Sequence, residues 1–334
     1  MQQRYEILSF YRKNINVNID MRQFIFIFVE SQLTKNFNKL KYTTMTPHFS
    51  SIITFTMIIY LAISLPSSIN ASNKFSLPQL GICTQYSNGE SIKKYRYTYI
   101  EESVGRFLVP DKNEEEFENM LKNAAGFPLP IKACNSFIPK ELKSVGFEAV
   151  PDEILEYAET AFRRAQKAGI EIIVFGSGGS RTIPEGFSRE KARQQFIELG
   201  KKIASIAAKY NVTVVLEPLN STECNFINSV SEGGEIVEEI SHPNFRLLAD
   251  IYHMKVEGES PESIMKYGHL IKHIHIAEKQ DRAVPGTYNE DFRPYFNALK
   301  KINYQGRISI EARWTDFDAQ IPLAIKTITD QYTN

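Results

Sequence analysis

Four strings in the second half of the chain decide its fold: VTVVLEPLN (212–220), RLLADIYH (246–253), IKHIHIAE (271–278) and RISIEARW (307–314). Each opens with a short run rich in β-branched and aliphatic residues, the length and composition of a buried strand. Each then carries an ionisable residue at its end: Glu217, Asp250, His275 and Glu311. Upstream, four more runs repeat the apolar part of the pattern: LGICT (80–84), YTYIEE (97–102), IKACNSF (131–137) and EIIVFGS (171–177). Helical periods separate them, such as EEEFENMLKNA, DEILEYAETAFRRAQKAG and REKARQQFIELGKKIASIAAKY. The second of these closes on Lys167 and Gly169, a stop signal. Only the connection after the first run is short, so its helix can have a turn or two. Strands alternating with helices predict a parallel sheet, because each crossover must return over the sheet face. Eight units in about 250 residues predict an α/β fold, a single (β/α)8 TIM barrel spanning 73–334.

The whole chain has 334 residues, with 39 Lys and Arg against 39 Asp and Glu. Its 43% apolar and 23% charged residues exclude general disorder. The absence of excess positive charge argues against a nucleic-acid-binding role, which needs cations to neutralise phosphates. Cys83, Cys134 and Cys224 are too few and too scattered for a disulfide framework or a cysteine zinc site, and read as free thiols.

Residues 1–72 look different. They hold seven Lys and Arg against three Asp and Glu, whereas the remainder is net negative. Residues 1–44 show no sustained amphipathic period and read as a non-domain extension, with Met45 a candidate true start. Ile52–Leu65 (IITFTMIIYLAISL) is free of charge, too short for a membrane span of roughly 20 residues and suited to the apolar segment of a signal peptide, about 7–15 residues. Ala71 is a plausible last residue before cleavage. Residues 45–72 are therefore read as signal-peptide-like and the protein as exported, with a membrane-anchored or cytoplasmic chain as the alternative.

In a (β/α)8 barrel the chemistry sits at the C-terminal ends of the strands. One ionisable residue there could belong to a structural ion pair; four on consecutive strands point to one mouth. Three carboxylates brought together without a cation repel one another and are driven to protonate. A divalent metal removes that cost, and an oxygen-rich donor set favours Mn2+, Mg2+ or Co2+ over structural zinc.

The strings LEPLN, ADIYHM, HIHIAE and SIEARW resemble those of the xylose-isomerase-like TIM barrels, in their sugar (phosphate) isomerase/epimerase branch and most closely its ketose 3-epimerases. The resemblance runs over residues 78–332. It implies one divalent ion, with manganese first, on Glu217, Asp250, His275 and Glu311. It also implies acid/base catalysis by Glu217 and Glu311, and sugar contacts from Glu223, His253 and Arg282. Glu223 stands six residues after Glu217 and His253 three after Asp250, as in that family. Arg282 stands seven after His275, one more than the ketose epimerase spacing. The activity so implied is proton transfer beside a sugar carbonyl through an enediolate. A lyase or dehydratase working through the same enolate is the alternative, and a non-catalytic sugar-binding barrel a further one. A homo-oligomer is possible, and a small sugar or keto-sugar is the expected partner.

Weaker signals surround these. Gly176–Ser180 (GSGGS) lacks the Lys-Ser/Thr ending of a phosphate loop and reads as a tight turn or close backbone approach. His273 reads as packing or support for His275. Glu101 and Glu102 end the second strand; one could face the pocket, although solvent exposure or helix capping is the plainer reading. Phe137 and Trp314 could wall a sugar pocket or simply pack in the core. Asn211-Val-Thr213 matches a glycosylation acceptor at the start of a buried strand. A related multi-zinc endonuclease pattern is disfavoured, because no histidine lies between residues 49 and 241 and no Asp-x-His follows His275. If the apolar run directs export, N-terminal sequencing of the mature protein will begin near Ser72; an intact Met1 or Met45 refutes it.

Overall fold

A computed structural model describes residues 76–333; the extension and the signal-like segment lie outside the described residues. The eight apolar runs all form strands: β1 (Gln79–Cys83), β2 (Tyr99–Ser103), β3 (Ile131–Asn135), β4 (Ile172–Phe175), β5 (Thr213–Leu216), β6 (Phe245–Asp250), β7 (Ile271–Ile276) and β8 (Arg307–Ile310). Neighbouring strands pair in parallel in chain order, and β1 pairs with β8, so the sheet closes as a single (β/α)8 barrel.

The three amphipathic periods named from the sequence form helices, and shorter helices arise elsewhere, one of them beginning within GSGGS. In chain order they are α1 (Gly89–Ile92), α2 (Glu114–Ala124), α3 (Pro151–Ala168), α4 (Gly178–Arg181), α5 (Arg189–Lys209), α6 (Val230–Ile240), α7 (Ile251–Glu257), α8 (Glu262–Tyr267), α9 (Arg293–Lys301) and α10 (Phe317–Thr333). Polar side chains start several of them: Asn113, Ser188, Ser229 and Asp250 each accept from a backbone N–H in the first turn. Gly169 ends α3 in the left-handed region at φ 72°, as its place after Lys167 predicts. The apolar helix faces pack on the outward side of the strands, which builds the main core, with Phe117, Phe162, Phe196, Phe245 and Phe296 fully buried.

Alternate strand residues point inward, and that lining is divided. Ala133, Ile172, Val174, Val215 and Leu248, on β3 to β6, form a small apolar cluster of their own. On β7, β8, β1 and β2 the corresponding positions hold His273, His275, Arg307, Ser309, Gly81, Cys83, Tyr99 and Glu101. Gly81 is required there because a Cβ would overlap the Tyr99 ring. At the N-terminal end of the barrel, Arg307 reaches the Glu171 carboxylate (2.8 Å) and Gln79 (3.1 Å).

The barrel closes on residues after 78, so a chain lacking residues 1–72 should melt at the same temperature as the full chain, as measured by circular dichroism. A loss of cooperative unfolding would show that the first 72 residues contribute to the fold.

Candidate active site

The ends of β5 to β8 bring the four predicted ionisable residues together. Donor atoms of Glu217, Asp250, His275 and Glu311 all lie within 4.8 Å of one another. His275 Nδ1 stands 2.8 Å from Glu217 Oε1 and 3.2 Å from Glu311 Oε2. His275, Asp250 and Glu217 are buried, and Glu311 is partly open to the mouth. Asp250 Oδ1 accepts the Tyr252 N–H at the start of α7 (2.8 Å), which leaves Oδ2 for the site. The Asn135 side chain donates to Glu311 Oε1 at 3.1 Å.

These groups sit uneasily together. Burial raises the proton affinity of Glu217, and the Glu311 and Asp250 charges add to it while His275 opposes. Burial likewise pushes Asp250 up to about 6, with Glu311 adding and Arg282 and His275 opposing. For Glu311, burial is outweighed by His275 and Arg282, which hold its carboxyl at about 2. The residues present fit a divalent ion. The set has one imidazole and three carboxylates, and ion–donor bonds of about 2.1–2.4 Å permit donor separations up to about twice that. A second group, Cys83, Glu101 and His275, shares the imidazole. There, burial pushes the Cys83 thiol well up, away from the thiolate form a metal needs.

The three residues predicted to contact substrate surround this cluster. His253 accepts the Asn220 backbone N–H at Nδ1 (3.1 Å), which places its proton on Nε2. That buried Nε2 has no hydrogen-bond partner and lies 3.4 Å from Asp250 Oδ2. Burial lowers the imidazole's proton affinity and keeps the ring neutral. Asn220 also donates to Glu223 at 2.9 Å. Arg282 reaches Glu311, Asp250 (3.3 Å) and Glu223 (3.6 Å) and lies over the Tyr252 ring. In the same loop Asp281 and Arg282 both adopt left-handed backbone, at φ 58° and 50°.

Several supporting residues carried no signal of their own. Glu278 is fully buried and accepts the N–H groups of Gly286 (2.7 Å) and Tyr288 (2.6 Å), tying down the loop that bears Arg282. Arg181, also fully buried, donates to the carbonyls of Phe175 (3.2 Å) and Glu217 (2.8 Å), joining the ends of β4 and β5. The GSGGS stretch is a close approach, since a Cβ on Gly176 would overlap the Glu217 carboxylate.

One expectation needs correction, and one left open is decided. Glu101 and Glu102 are both buried rather than solvent-exposed. Glu101 points into the barrel at His273 and His275, whereas Glu102 accepts from the Tyr86 and Ser103 N–H groups and pairs with Arg106. Phe137 belongs to the core, packed against Phe162 and Phe175. Trp314 is half-buried with its ring edge-on to Phe317, 4.8 Å between centroids.

The Xylose isomerase-like TIM barrel family matches residues 90–329, and the chain belongs to that family. Among curated relatives, an L-ribulose 3-epimerase from Methylomonas sp. is 35% identical over 130 residues, covering 39% of this chain and 45% of that protein. The chain spans about half the length of the first curated relatives it matches, 45% and 56%. Among solved structures, the 3-keto-D-glucoside 4-epimerase of E. coli has a TM-score of 0.64 at 20% identity, covering 76% of this chain and all (100%) of that one. The IOLI protein, whose structure holds a zinc atom, has a TM-score of 0.60 at 18% identity, covering 76% of this chain and 98% of that one. At such identities the structures speak for the fold.

The raised carboxyls set a pH dependence. An acid whose pKa is raised by folding destabilises the fold once it ionises, so the metal-free protein loses stability through Asp250 as pH rises through about 6, and the raised Glu217 carboxyl acts in the same direction. A bound cation reverses that, since it requires both carboxylates ionised. Thermal melts with Mn2+ and with EDTA should therefore differ more at pH 8 than at pH 5. An equal shift at both values would contradict the cluster as the ion's site.

Proposed function

We propose that the protein is a divalent-metal-dependent sugar isomerase or epimerase, moving a proton beside a carbonyl through an enediolate. The observation that carries this reading is the pair of carboxylates, Glu217 and Glu311, on either side of His275 Nδ1 at the mouth. Their strands, β5 and β8, are three apart around the ring of eight, so the two can address a central ligand from different sides.

When bound, a divalent cation withdraws charge from a carbonyl and its neighbouring hydroxyl, which stabilises the developing oxyanion. The chain's own residues handle the proton. One carboxylate takes it from the carbon and the other returns one from the opposite face, which inverts that centre. The two are not equivalent: Glu217 holds a proton more firmly than Glu311, which His275 and Arg282 keep ionised. His253 offers its free Nε2–H to a substrate oxygen, and Glu223 and Arg282 supply an acceptor and a donor for sugar hydroxyls. Glu278 keeps the Arg282 loop in place over the site.

The substrate class follows from this chemistry: a ketose or keto-sugar with a hydroxyl beside its carbonyl. The partial match to an L-ribulose 3-epimerase supports the same class. Export through residues 45–72 would place that substrate outside the cytoplasm.

Incubation of the Mn2+-loaded protein in D2O with a panel of ketoses, keto-sugars and their phosphates should put deuterium on one substrate carbon, read by NMR. Glu311→Gln keeps an oxygen donor but removes the base, and turnover should fall by roughly 10²–10⁴-fold, with some metal retained. Conversion without solvent deuterium would replace the proton shuttle with internal hydride transfer. Release of water or an aglycone would mark elimination, and a panel with no conversion or exchange would remove the sugar-epimerase reading.

A further inference from the structure

Beneath the carboxylate ring, the barrel interior holds a polar layer that the proton shuttle does not use. At its centre is Glu101 on β2, an anion 1% exposed. Its oxygens accept from three directions. Oε1 stands 2.9 Å from His275 Nε2; Oε2 stands 2.7 Å from His273 Nε2 and 2.6 Å from the Ser309 hydroxyl. Tyr99 meets the same serine oxygen at 2.8 Å and can satisfy it once its proton is given to Glu101. His273 Nδ1 is buried without a partner, so its only held proton is the one on Nε2. A carboxylate is an acceptor, and every neighbour here is arranged as a donor to it.

This arrangement determines how His275 presents itself. With its Nε2–H given to Glu101, His275 has Nδ1 left for the mouth: burial is outweighed by the surrounding carboxylates, which favour a proton there in the metal-free protein, and giving that proton up leaves a lone pair. That nitrogen faces Glu217 Oε1 and Glu311 Oε2, two acceptors that repel a lone pair unless a cation lies between them. We propose that Glu101 is the positioning residue of the metal centre, holding His275 as the Nε2–H tautomer so that Nδ1 is the ligating nitrogen. The proposal rests on the reading of the Glu217, Asp250, His275 and Glu311 cluster as a metal site. Glu101 also makes Nδ1 a stronger donor, because an imidazole hydrogen-bonded to a carboxylate is more basic at its other nitrogen. His273 and Ser309 hold the carboxylate in turn, which gives the polar side of the barrel interior a purpose besides packing.

Replacing Glu101 by Gln tests this with little change of volume. A glutamine has one acceptor oxygen and an NH2 group, so the NH2 must face a former donor. Facing His275, it would favour the opposite tautomer, with a proton on Nδ1 where the ion should sit. Calorimetric titration with Mn2+ should give a dissociation constant weakened by roughly 10–100-fold, the usual consequence of losing such a support. Long-range 1H–15N spectra of Zn2+-loaded wild-type protein should show the ion on His275 Nδ1 and a proton on Nε2. Ser309→Ala removes a donor to Glu101 without touching His275 and should preserve that tautomer pattern, which separates tautomer control from general loosening of the interior. An unchanged Mn2+ affinity in Glu101→Gln, or zinc on Nε2 in the wild type, overturns the proposal while leaving the metal site standing. Wild-type protein that binds neither ion overturns the metal reading and this one with it. If Glu101→Gln fails to fold, the wild-type spectra alone decide.

Discussion

The crowding of Glu217, Asp250 and Glu311 around one imidazole is the constraint on which the rest of the site depends. Taking a carboxylate out of water costs several kcal/mol even after the protein relaxes. Here three share a space in which donor atoms lie within 4.8 Å of one another. His275 and Arg282 offset part of the cost, yet burial still drives Asp250 up to about 6. A site assembled at this expense is poorly suited to holding the fold together, because an apolar filling of similar volume would be as stable or more so. Under the proposed function, its value lies in what it would attract: a doubly charged cation, and with it an oxyanion that would form during reaction.

Holding that cluster requires rigidity from the surrounding elements, and the barrel supplies it asymmetrically. The apolar half of the interior, Ala133, Ile172, Val174, Val215 and Leu248, packs in the ordinary manner. The other half replaces bulky aliphatic residues with Tyr99, Glu101, His273 and Ser309, joined by directional bonds. Apolar packing alone tolerates small rotations of a ring. A carboxylate bound to a ring nitrogen does not, and it distinguishes one nitrogen from the other. Orientation at the mouth thus begins a layer deeper, in residues that would not meet substrate.

Much of this was legible from the sequence because strands and helices repeat with different periods. Eight β-branched runs separated by amphipathic stretches specify a closed parallel barrel, and polar residues at the ends of buried strands stand out against their apolar context. Glu217, Asp250, His275 and Glu311 were visible for that reason. Glu101 was visible as a residue but not in its orientation: two adjacent glutamates at a strand end leave open which faces inward, and both proved buried. Arg181 and Glu278 gave no signal, since a charged residue in a loop looks solvated until its partners are known. Those partners are backbone carbonyls for Arg181 and backbone N–H groups for Glu278, which no side-chain pattern encodes.

Arg282 shows how spacing in sequence and position in space can part company. Counted from His275 it is a residue too far for the ketose epimerase pattern, which by itself would carry the guanidinium past the site. In the structure Asp281 and Arg282 are successive left-handed residues, and the Arg282 side chain reaches the carboxylates all the same. Such backbone is unfavourable for non-glycine residues, so it persists only where surrounding contacts fix it. They are present: Arg313 N–H donates to the Arg282 carbonyl at 2.8 Å, Glu278 N–H donates to Ala283 at 2.8 Å, and the buried Glu278 carboxylate gathers the far side of the loop. The guanidinium then lies on Tyr252 and meets Asp250 and Glu311. The carboxylates of the cluster favour a cation at this place, and the loop's own hydrogen bonds hold the Arg282 charge there despite its longer spacing from His275.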